Sequence, residues 1–294
     1  MSGEPAEVRL AIGGITAAVT SADDRLRLTV PAAVSRFLAD GGAPDIRISA
    51  TWASRPPAPS GPPLFDSGGL WRLHATGAQL TWSFTSPVFG SAPYKVAVFD
   101  RDFAAGTVHL HAPYFDTAAP IYPLEYPLDE LLITNWLALG RGVEIHGCAV
   151  RDASGAGYLF AGHSGAGKTT IATLWEAEPG VTVLSDDRVI LRQADNEIWM
   201  YGTPWHGDEP LASPTRTRLT RGFVLRHATQ NAAAPFGRTA VVAELMARSF
   251  PPFYSRAGLD FSLSFLAAVS ERVPFAELAF VPDRGVLDFV RSGG

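Results

Sequence analysis

The stretch that decides the fold of this chain is Gly162-His163-Ser164-Gly165-Ala166-Gly167-Lys168-Thr169, followed by Thr170. It matches the pattern G-x-x-x-x-G-K-[ST] at every fixed position. Glycines let several backbone N–H groups turn toward one anion without interference from a Cβ atom, and the helix that follows adds the positive end of its dipole. We expect Lys168 to reach the β- and γ-phosphates of ATP, and the Thr169 hydroxyl to complete a Mg²⁺ shell. The pattern predicts that residues 162–170 bind the nucleotide.

The sequence on either side of this loop supports the same interpretation. Residues 157–161 predict a short buried strand, and residues 170–175 predict a helix. Strand, glycine loop and helix follow one another in the order that the motif requires. The alternative is an ordinary glycine-rich turn whose lysine is solvated. The flanking elements favour a phosphate site.

An acidic motif follows after one helix and one return strand. Residues 181–184 predict a buried strand that ends in Ser185-Asp186-Asp187-Arg188. An acidic residue at the end of a strand neighbouring the phosphate loop is where such nucleotide enzymes hold their metal. Because adjacent side chains of a strand point to opposite faces, we assign Asp187 to Mg²⁺, directly or through water, and Asp186 to the acceptor hydroxyl as general base. The reverse assignment stays open, and so does a surface turn with an Asp–Arg ion pair.

Composition excludes several classes of protein. The chain has 294 residues, and its hydrophobic fraction of 47% is that of an ordinary globular protein. Its net charge of −5 argues against general nucleic-acid binding. It has no apolar run of about 18 residues, so nothing predicts a membrane span. Its start lacks the basic and apolar regions of a signal peptide. The single cysteine, Cys148, lies in an apolar strand and is interpreted as a core thiol. Together these features predict the cytoplasm.

One local charge run has two interpretations. Between Glu209 and Glu244 there is no acidic residue, whereas five arginines fall there: Arg216, Arg218, Arg221, Arg226 and Arg238. Such a run is usually a solvated face. The alternative is a clamp for phosphate or for an acidic substrate, because arginine binds oxyanions through two hydrogen bonds.

The pattern of apolar residues predicts two domains. Residues 1–126 are expected to form a β-rich module, with strands at 8–12, 25–30 and 46–50, a short helix at 31–39, a proline-rich loop at 55–63, and a meander over 70–111. Residues 127–294 are expected to form an α/β domain that opens with a helix at Pro127. Later strands at 222–225 and 275–280, and helices at 239–249, 261–269 and 286–291, complete its predicted core.

Three stretches of the second domain resemble the catalytic domain of the HPr kinase/phosphorylase family: Ile145-His146-Gly147-Cys148-Ala149-Val150, the loop with its inner Ser-Gly-Ala-Gly-Lys, and Leu184-Ser185-Asp186-Asp187-Arg188-Val189. The resemblance covers residues 128–192. It implies a P-loop kinase fold akin to ATP-dependent phosphoenolpyruvate carboxykinase, and transfer of phosphate from ATP, with Mg²⁺, to a serine hydroxyl. It also implies that His146 and Asp186 lie at the reacting phosphate, although a lone strand histidine is usually a core or edge residue.

The sequence departs from that family after the Asp-Asp strand. The family has a Met-Glu-Ile-Arg-Gly segment there, whose glutamate assists the metal, whereas this chain has Trp199-Met200-Tyr201-Gly202-Thr203-Pro204-Trp205-His206-Gly207-Asp208. The departure resembles a divergent branch of the family, some members of which are associated with modified-peptide biosynthesis. His206 is a candidate for the acceptor site. Trp205 either stacks on substrate or anchors a buried turn.

The sequence favours a Mg·ATP-dependent kinase in which Lys168, Mg²⁺ and an arginine neutralise charge while Asp186, with His146, orients the acceptor. The expected partner is a small protein or peptide that carries the hydroxyl, with neither nucleic acid nor membrane as a partner. A homo-oligomer is left open, since members of the family often form hexamers. Two other hypotheses remain: a nucleotide-binding regulator without catalysis, and a small-molecule kinase or carboxykinase-like enzyme.

Overall fold

The structure, a computed structural model, describes residues 7–207 and 211–293. The chain divides into two compact units, one of residues 1–11 and 15–136 and one of residues 12–14 and 137–294. Strands make up 39% of the structure and helices 21%, so the fold is mixed α/β with large sheets. The domain boundary between residues 126 and 127 and the P-loop kinase core stay predictions.

The first unit is built on an eight-stranded sheet with the strand order β1-β2-β3-β8-β7-β6-β5-β4. Strand β3 is parallel to both β2 and β8. The adjacent pairs β8–β7, β7–β6, β6–β5 and β5–β4 are antiparallel. Its elements are β1 (Glu7–Ile12), β2 (Ile15–Ser21), α1 (Ala32–Ser35), β3 (Ile46–Ala53), β4 (Phe65–Asp66), β5 (Trp71–Thr76), β6 (Gln79–Ser86), β7 (Gly90–Asp100), β8 (Ala105–His111) and α2 (Leu128–Leu137), whose last residue belongs to the second unit.

Two details of the first unit correct the sequence-based assignment. The strand predicted over residues 25–30 is wrong: Leu26 and Leu28 are buried as the alternation requires, but this backbone pairs only around Ile121, which accepts from Thr29 N and donates to Arg27 O. Strand β2 was missed because Ala17, Ala18 and Val19 are all buried, and such a run does not alternate.

Strand β7 carries a lysine whose side chain is fully buried. Lys95 Nζ donates to Glu125 O at 3.1 Å and lies 3.4 Å from Glu125 Oε1, with the Phe84 ring centroid 4.8 Å away. Burial lowers the pKa of Lys95 from 10.5 to about 8, against the opposing effect of Glu125. Removing an ammonium group from water is costly even when it has partners.

Lys95 predicts a pH dependence of stability. Between pH 8 and 10.5 the Lys95 amine is protonated in the unfolded chain and deprotonated in the folded chain, so the contribution of Lys95 to the free energy of unfolding rises with pH in that window. The full rise is roughly 3 kcal/mol. Lys95→Met fills similar space without an ionisable group, and its free energy of unfolding should lack this rise. Urea unfolding of both proteins at pH 7.5 to 10.5 checks this; parallel curves would contradict it.

The second unit is built on a nine-stranded sheet. Its path is β14-β13-β12-β9-β10-β15-β17-β16, with β11 also paired to β9. The elements are β9 (Val143–Arg151), β10 (Gly157–Ala161), α3 (Lys168–Glu176), β11 (Thr182–Ser185), β12 (Arg188–Ala194), β13 (Glu197–Gly202), β14 (Arg216–Arg218), β15 (Arg221–His227), β16 (Ala232–Pro235), α4 (Arg238–Met246), α5 (Arg256–Arg272), β17 (Phe275–Phe280) and α6 (Gly285–Arg291).

Helices cover both faces of this sheet. Leu159 and Ala161 of β10 pack into a cluster that includes residues of α4 and α5. Tyr158 and Phe160 of the same strand pack into a second cluster with residues of α3 and α6. A strand covered on both faces is apolar throughout rather than alternating, as residues 157–161 are. None of the described helices is long and apolar enough to cross a membrane.

The strand directions place the glycine loop at one edge of the sheet. Strands β10, β15 and β17 are adjacent and parallel, so their carboxyl ends meet at the same edge. In open α/β sheets, ligands bind outside the carboxyl ends of the strands. The loop of residues 162–167 leaves β10 at this edge and enters α3 at Lys168.

Candidate functional site

The glycine loop is shaped by close packing at two of its glycines. A Cβ atom at Gly162 would lie 2.7 Å from Ala166 Cβ. Gly167 has a φ of +97°, and a Cβ there would lie 2.6 Å from Phe280 Cζ. Only glycine satisfies the torsion angle and the space at position 167. The sequence of the loop therefore sets the turn from β10 into α3.

This packing predicts different losses of stability for two matched glycine variants. Gly167→Ala combines left-handed strain with a clash against Phe280 and should lower the free energy of unfolding by roughly 3 kcal/mol. Gly155→Ala keeps only the strain, since Gly155 has a φ of +87° and no atom within 4 Å of the added Cβ, and should cost about 1 kcal/mol. Urea unfolding measures both, and equal losses would contradict the packing argument.

Lys168 is held against the loop that precedes it. Its Nζ donates to Gly162 O and His163 O, each at 3.1 Å, and the side chain is buried. Burial lowers the pKa of Lys168; nearby Arg248 and Arg188 lower it further, while Asp187 opposes the shift. The ammonium group is thus partly desolvated, and a phosphate would be a stronger partner than the two carbonyls.

Asp186 and Asp187 lie at a break between two strands that run in line along β9. Ser185 of β11 is opposite Ala149, and Arg188 of β12 is opposite His146. The alternation expected for a regular strand does not apply at this break, and both aspartates line the same cavity. The prediction that they face opposite sides of a sheet is therefore wrong.

Asp187 is engaged by two neighbours. Its Oδ1 lies 2.9 Å from His146 Nδ1, and its Oδ2 accepts from Arg188 Nη1 at 2.6 Å. Arg188 Nη1 is also 2.9 Å from His146 Nδ1. Because a carboxylate only accepts and Arg188 Nη1 already donates to Asp187 Oδ2, we assign the Nδ1 proton to the bond with Asp187. Burial alone would raise the pKa of Asp187; the hydrogen bond from His146 and the charge of Arg188 outweigh it, and the pKa is lowered.

Asp186 has a different environment. It is 1% exposed, and its Oδ1 accepts from Gly207 N at 3.2 Å. Within the described residues its Oδ2 is buried and has no hydrogen-bond partner. Burial raises the pKa of Asp186, partly offset by the Gly207 hydrogen bond. A buried carboxylate oxygen without a donor is costly, which indicates a position meant for a cation or a donor from a ligand.

These residues line one cavity of about 390 Å³. Six lining residues come from the loop and the start of α3, namely Ser164, Gly165, Gly167, Lys168, Thr169 and Thr170, and the others are His146, Asp186, Asp187, Gly207 and His227. The predicted site residues Gly162, His163 and Ala166 belong to the loop without lining the cavity. Of the lining residues, sequence reasoning missed His227 and Gly207. Both are brought in by long-range contacts.

The donors available suit a magnesium ion bound together with phosphates. No group of three or more His, Cys, Asp or Glu residues forms a metal cage within the described ranges. Mg²⁺ usually takes one or two carboxylates, waters and substrate phosphates rather than a full protein cage. The open Asp186 Oδ2 and the Thr169 hydroxyl on the cavity wall are oxygen donors of this kind. The oxygen atoms of Asp186 and Thr169 are therefore suitable ligands for Mg²⁺.

The remaining candidates lie elsewhere or play structural roles. None of the five arginines of the predicted clamp lines the cavity; Arg218 pairs with Glu197, and Arg226 with Glu244 and Glu277. Cys148 is fully buried, and burial raises the pKa of its thiol. Trp205 is also buried. Asp208, at the end of the segment that departs from the family, and residues 1–6, where the signal-peptide prediction falls, lie outside the described residues.

Comparison with known proteins gives weak structural similarity. No family model matches the sequence, and no curated protein matches it. Among solved structures, the HPr(Ser) kinase/phosphatase from Coxiella burnetii is 10% identical, with a TM-score of 0.29, over 51% of this chain and 95% of that chain. At this level the similarity carries no conclusion about chemistry, which has to be argued from the site.

Proposed function

We propose that this chain is a Mg·ATP-dependent phosphotransferase that passes the γ-phosphoryl group to a hydroxyl, most directly a serine of a small protein or peptide. One observation carries the proposal. A single cavity is lined both by residues of the glycine loop with Lys168 and Thr169 and by Asp186, Asp187 and His146. Phosphoryl transfer needs both parts: donors for the phosphates and a group that orients the acceptor.

On the phosphate side, the loop amides and Lys168 would bind the oxygens on which negative charge accumulates. Lys168 would exchange the carbonyls of Gly162 and His163 for phosphate oxygens, since its Nζ already lies within the loop. Donors fixed before the reaction stabilise a transition state without reorganising during it. The fold contributes mainly by positioning them.

On the acceptor side, His146 is the base that we propose. With its Nδ1 proton directed at Asp187 Oδ1, the Nε2 atom is left as an acceptor for the proton of a hydroxyl. Asp187 orients the ring and stabilises the imidazolium that forms, the arrangement of a carboxylate–histidine pair. Arg188 holds Asp187 in turn at 2.6 Å.

Asp186 and Thr169 are the residues that we propose for Mg²⁺. This exchanges the roles first assigned to the two aspartates, because Asp187 is occupied by His146 and Arg188 whereas Asp186 Oδ2 has no partner among the described residues. When bound, the ion would neutralise charge on the β- and γ-phosphate oxygens. Asp186 is held for this task by the Gly207 amide.

A transfer assay tests the proposal. The purified protein is incubated with Mg²⁺, ATP labelled at the γ-phosphate, and a protein extract of the source organism. We expect label on an acid-stable, base-labile phosphoserine product, and none when the label is on the α-phosphate. Binding of ATP without transfer to any acceptor, and without slow hydrolysis to ADP, would contradict a phosphotransferase and favour a nucleotide-binding regulator. Decarboxylation of oxaloacetate would favour the carboxykinase-like alternative.

A further inference from the structure

His227 lies at the last position of β15, beside the glycine loop. Strand β15 is paired with both β10 and β17, and His227 is in register with Phe280, the last residue of β17. The two rings are 6.1 Å apart between centroids. Phe280 occupies the space next to Gly167, and His227 Nε2 lies 2.6 Å from Gly165 O. Two adjacent strand ends thus contact the loop through ring side chains.

The Gly165 carbonyl completes a series of four. Lys168 Nζ binds the carbonyls of Gly162 and His163, the His163 ring lies 2.6 Å from Ser164 O, and His227 takes the fourth, Gly165 O. The carbonyl oxygens of the first four loop residues, 162–165, are therefore matched by side-chain nitrogens. A carbonyl only accepts, so Nε2 of His227 carries the proton in this bond.

This series determines where the loop amides can point. The C=O and N–H of a trans peptide point in opposite directions, so fixing the carbonyls also fixes the amides. The carbonyls of His163 and Ser164 thus fix the amides of Ser164 and Gly165, which donate to no protein acceptor within the described residues, whereas the Gly165 carbonyl fixes the Ala166 amide, which donates to His163 O at 3.0 Å. Gly165 is the residue least supported by packing, since it has a φ of +79° and nothing within 4 Å of where a Cβ would be. The peptide between Gly165 and Ala166 is held by two bonds, one from His227 to Gly165 O and one from the Ala166 amide to His163 O.

We propose that His227 is a positioning residue for the phosphate-binding loop. By donating to Gly165 O, it holds the peptide between Gly165 and Ala166 so that its carbonyl oxygen does not turn toward the bound phosphates, while the preceding amides of Ser164 and Gly165 stay free to bind them. A carbonyl oxygen turned into the site would repel a phosphate oxygen. The expected effect on ligand binding rests on the proposed function, because the ligand of the loop is taken to be the triphosphate of ATP. The bond itself is a property of the ligand-free protein.

Two substitutions separate the hydrogen bond from the ring. His227→Phe keeps an aromatic ring beside Phe280 but has no donor, whereas His227→Gln places an amide nitrogen at a reach similar to that of Nε2. Two readouts are needed: the Kd and kcat for Mg·ATP, and the NMR order parameter, without ligand, of the Ala166 amide, which shares a peptide with Gly165 O. In His227→Phe we expect the Kd to rise about tenfold, with kcat within a factor of about two. His227→Gln should restore the Kd to within about threefold of the wild type.

The order parameter tests the bond without nucleotide. We expect a value near 0.85 in the wild type and in His227→Gln, and below about 0.6 in His227→Phe. Unchanged order in His227→Phe, or equal loss in both variants, would overturn the proposal. The proposal would also be overturned if the wild type bound Mg·ATP and His227→Phe bound it equally well. A wild type that binds no Mg·ATP would instead overturn the proposed function, and the order parameters would still decide whether His227 fixes the loop.

Discussion

Lys168→Ala is expected to lower the rate of phosphoryl transfer about 10²- to 10³-fold, the usual effect of removing one preorganised charge-stabilising donor. The reason is local. Lys168 Nζ lies within the loop, held by Gly162 O and His163 O, whereas the nearby Arg188 is engaged by Asp187. Steady-state transfer of the γ-phosphate of ATP measures the loss.

The control lies one turn further along the same helix. Thr173 is exposed, and its hydroxyl bonds to Thr169 O, so Thr173→Ala changes α3 without touching the cavity and should retain the wild-type rate. Circular dichroism and thermal unfolding would show that Lys168→Ala is folded. Full activity of a folded Lys168→Ala protein would rule out the assignment of this site.

Asp186→Asn and Asp187→Asn are expected to fail in different ways. Asp186→Asn removes the charge of the open buried oxygen, so transfer should fall about 10³-fold, and Mg²⁺ should no longer strengthen ATP binding. The variant should be at least as stable as the wild type, because a buried carboxylate whose pKa is raised by burial is lost. A gain in stability together with a loss of activity is typical of a residue kept for function.

Asp187→Asn disturbs the base instead. Asparagine cannot hold the Nδ1 proton of His146 in the same way, so transfer should fall about 10²- to 10⁴-fold while the Mg²⁺ dependence of ATP binding stays. Stability should decrease, because Arg188 loses the carboxylate that it contacts at 2.6 Å. Titration calorimetry with and without Mg²⁺ distinguishes the two variants. If Asp187→Asn abolishes the Mg²⁺ effect and Asp186→Asn keeps it, the two roles are reversed.

The glycine loop could be predicted from sequence because its determinants are local. The fixed glycines, the lysine and the following threonine are adjacent, and the strand before them is uniformly apolar. The mixed α/β class followed from similar short-range patterns. Strand β2 could not be assigned in this way, since Ala17 and Ala18 are small residues buried together and give neither an alternating nor a helical period.

The arrangement around the aspartates could not be predicted, because it depends on pairing between distant strands. Asp186 and Asp187 share one cavity only because β11 and β12 both pair with β9 and leave a break between them. His227 and Gly207 reach the cavity through the same long-range packing. One signal was present for His227: a polar residue two positions after the apolar run Phe223-Val224-Leu225, at the carboxyl end of a strand.

The central claim, that the loop and Lys168 hold a nucleotide triphosphate, has a direct chemical test. The chain contains only two lysines, Lys95 and Lys168, and Lys95 is fully buried in the first unit. An acyl-phosphate derivative of ATP acylates a lysine amine next to the bound phosphates, and peptide mass spectrometry locates the label. We predict label on Lys168 that excess Mg·ATP prevents, and none on Lys95. An unlabelled Lys168, or labelling that excess Mg·ATP leaves unchanged, would contradict the claim.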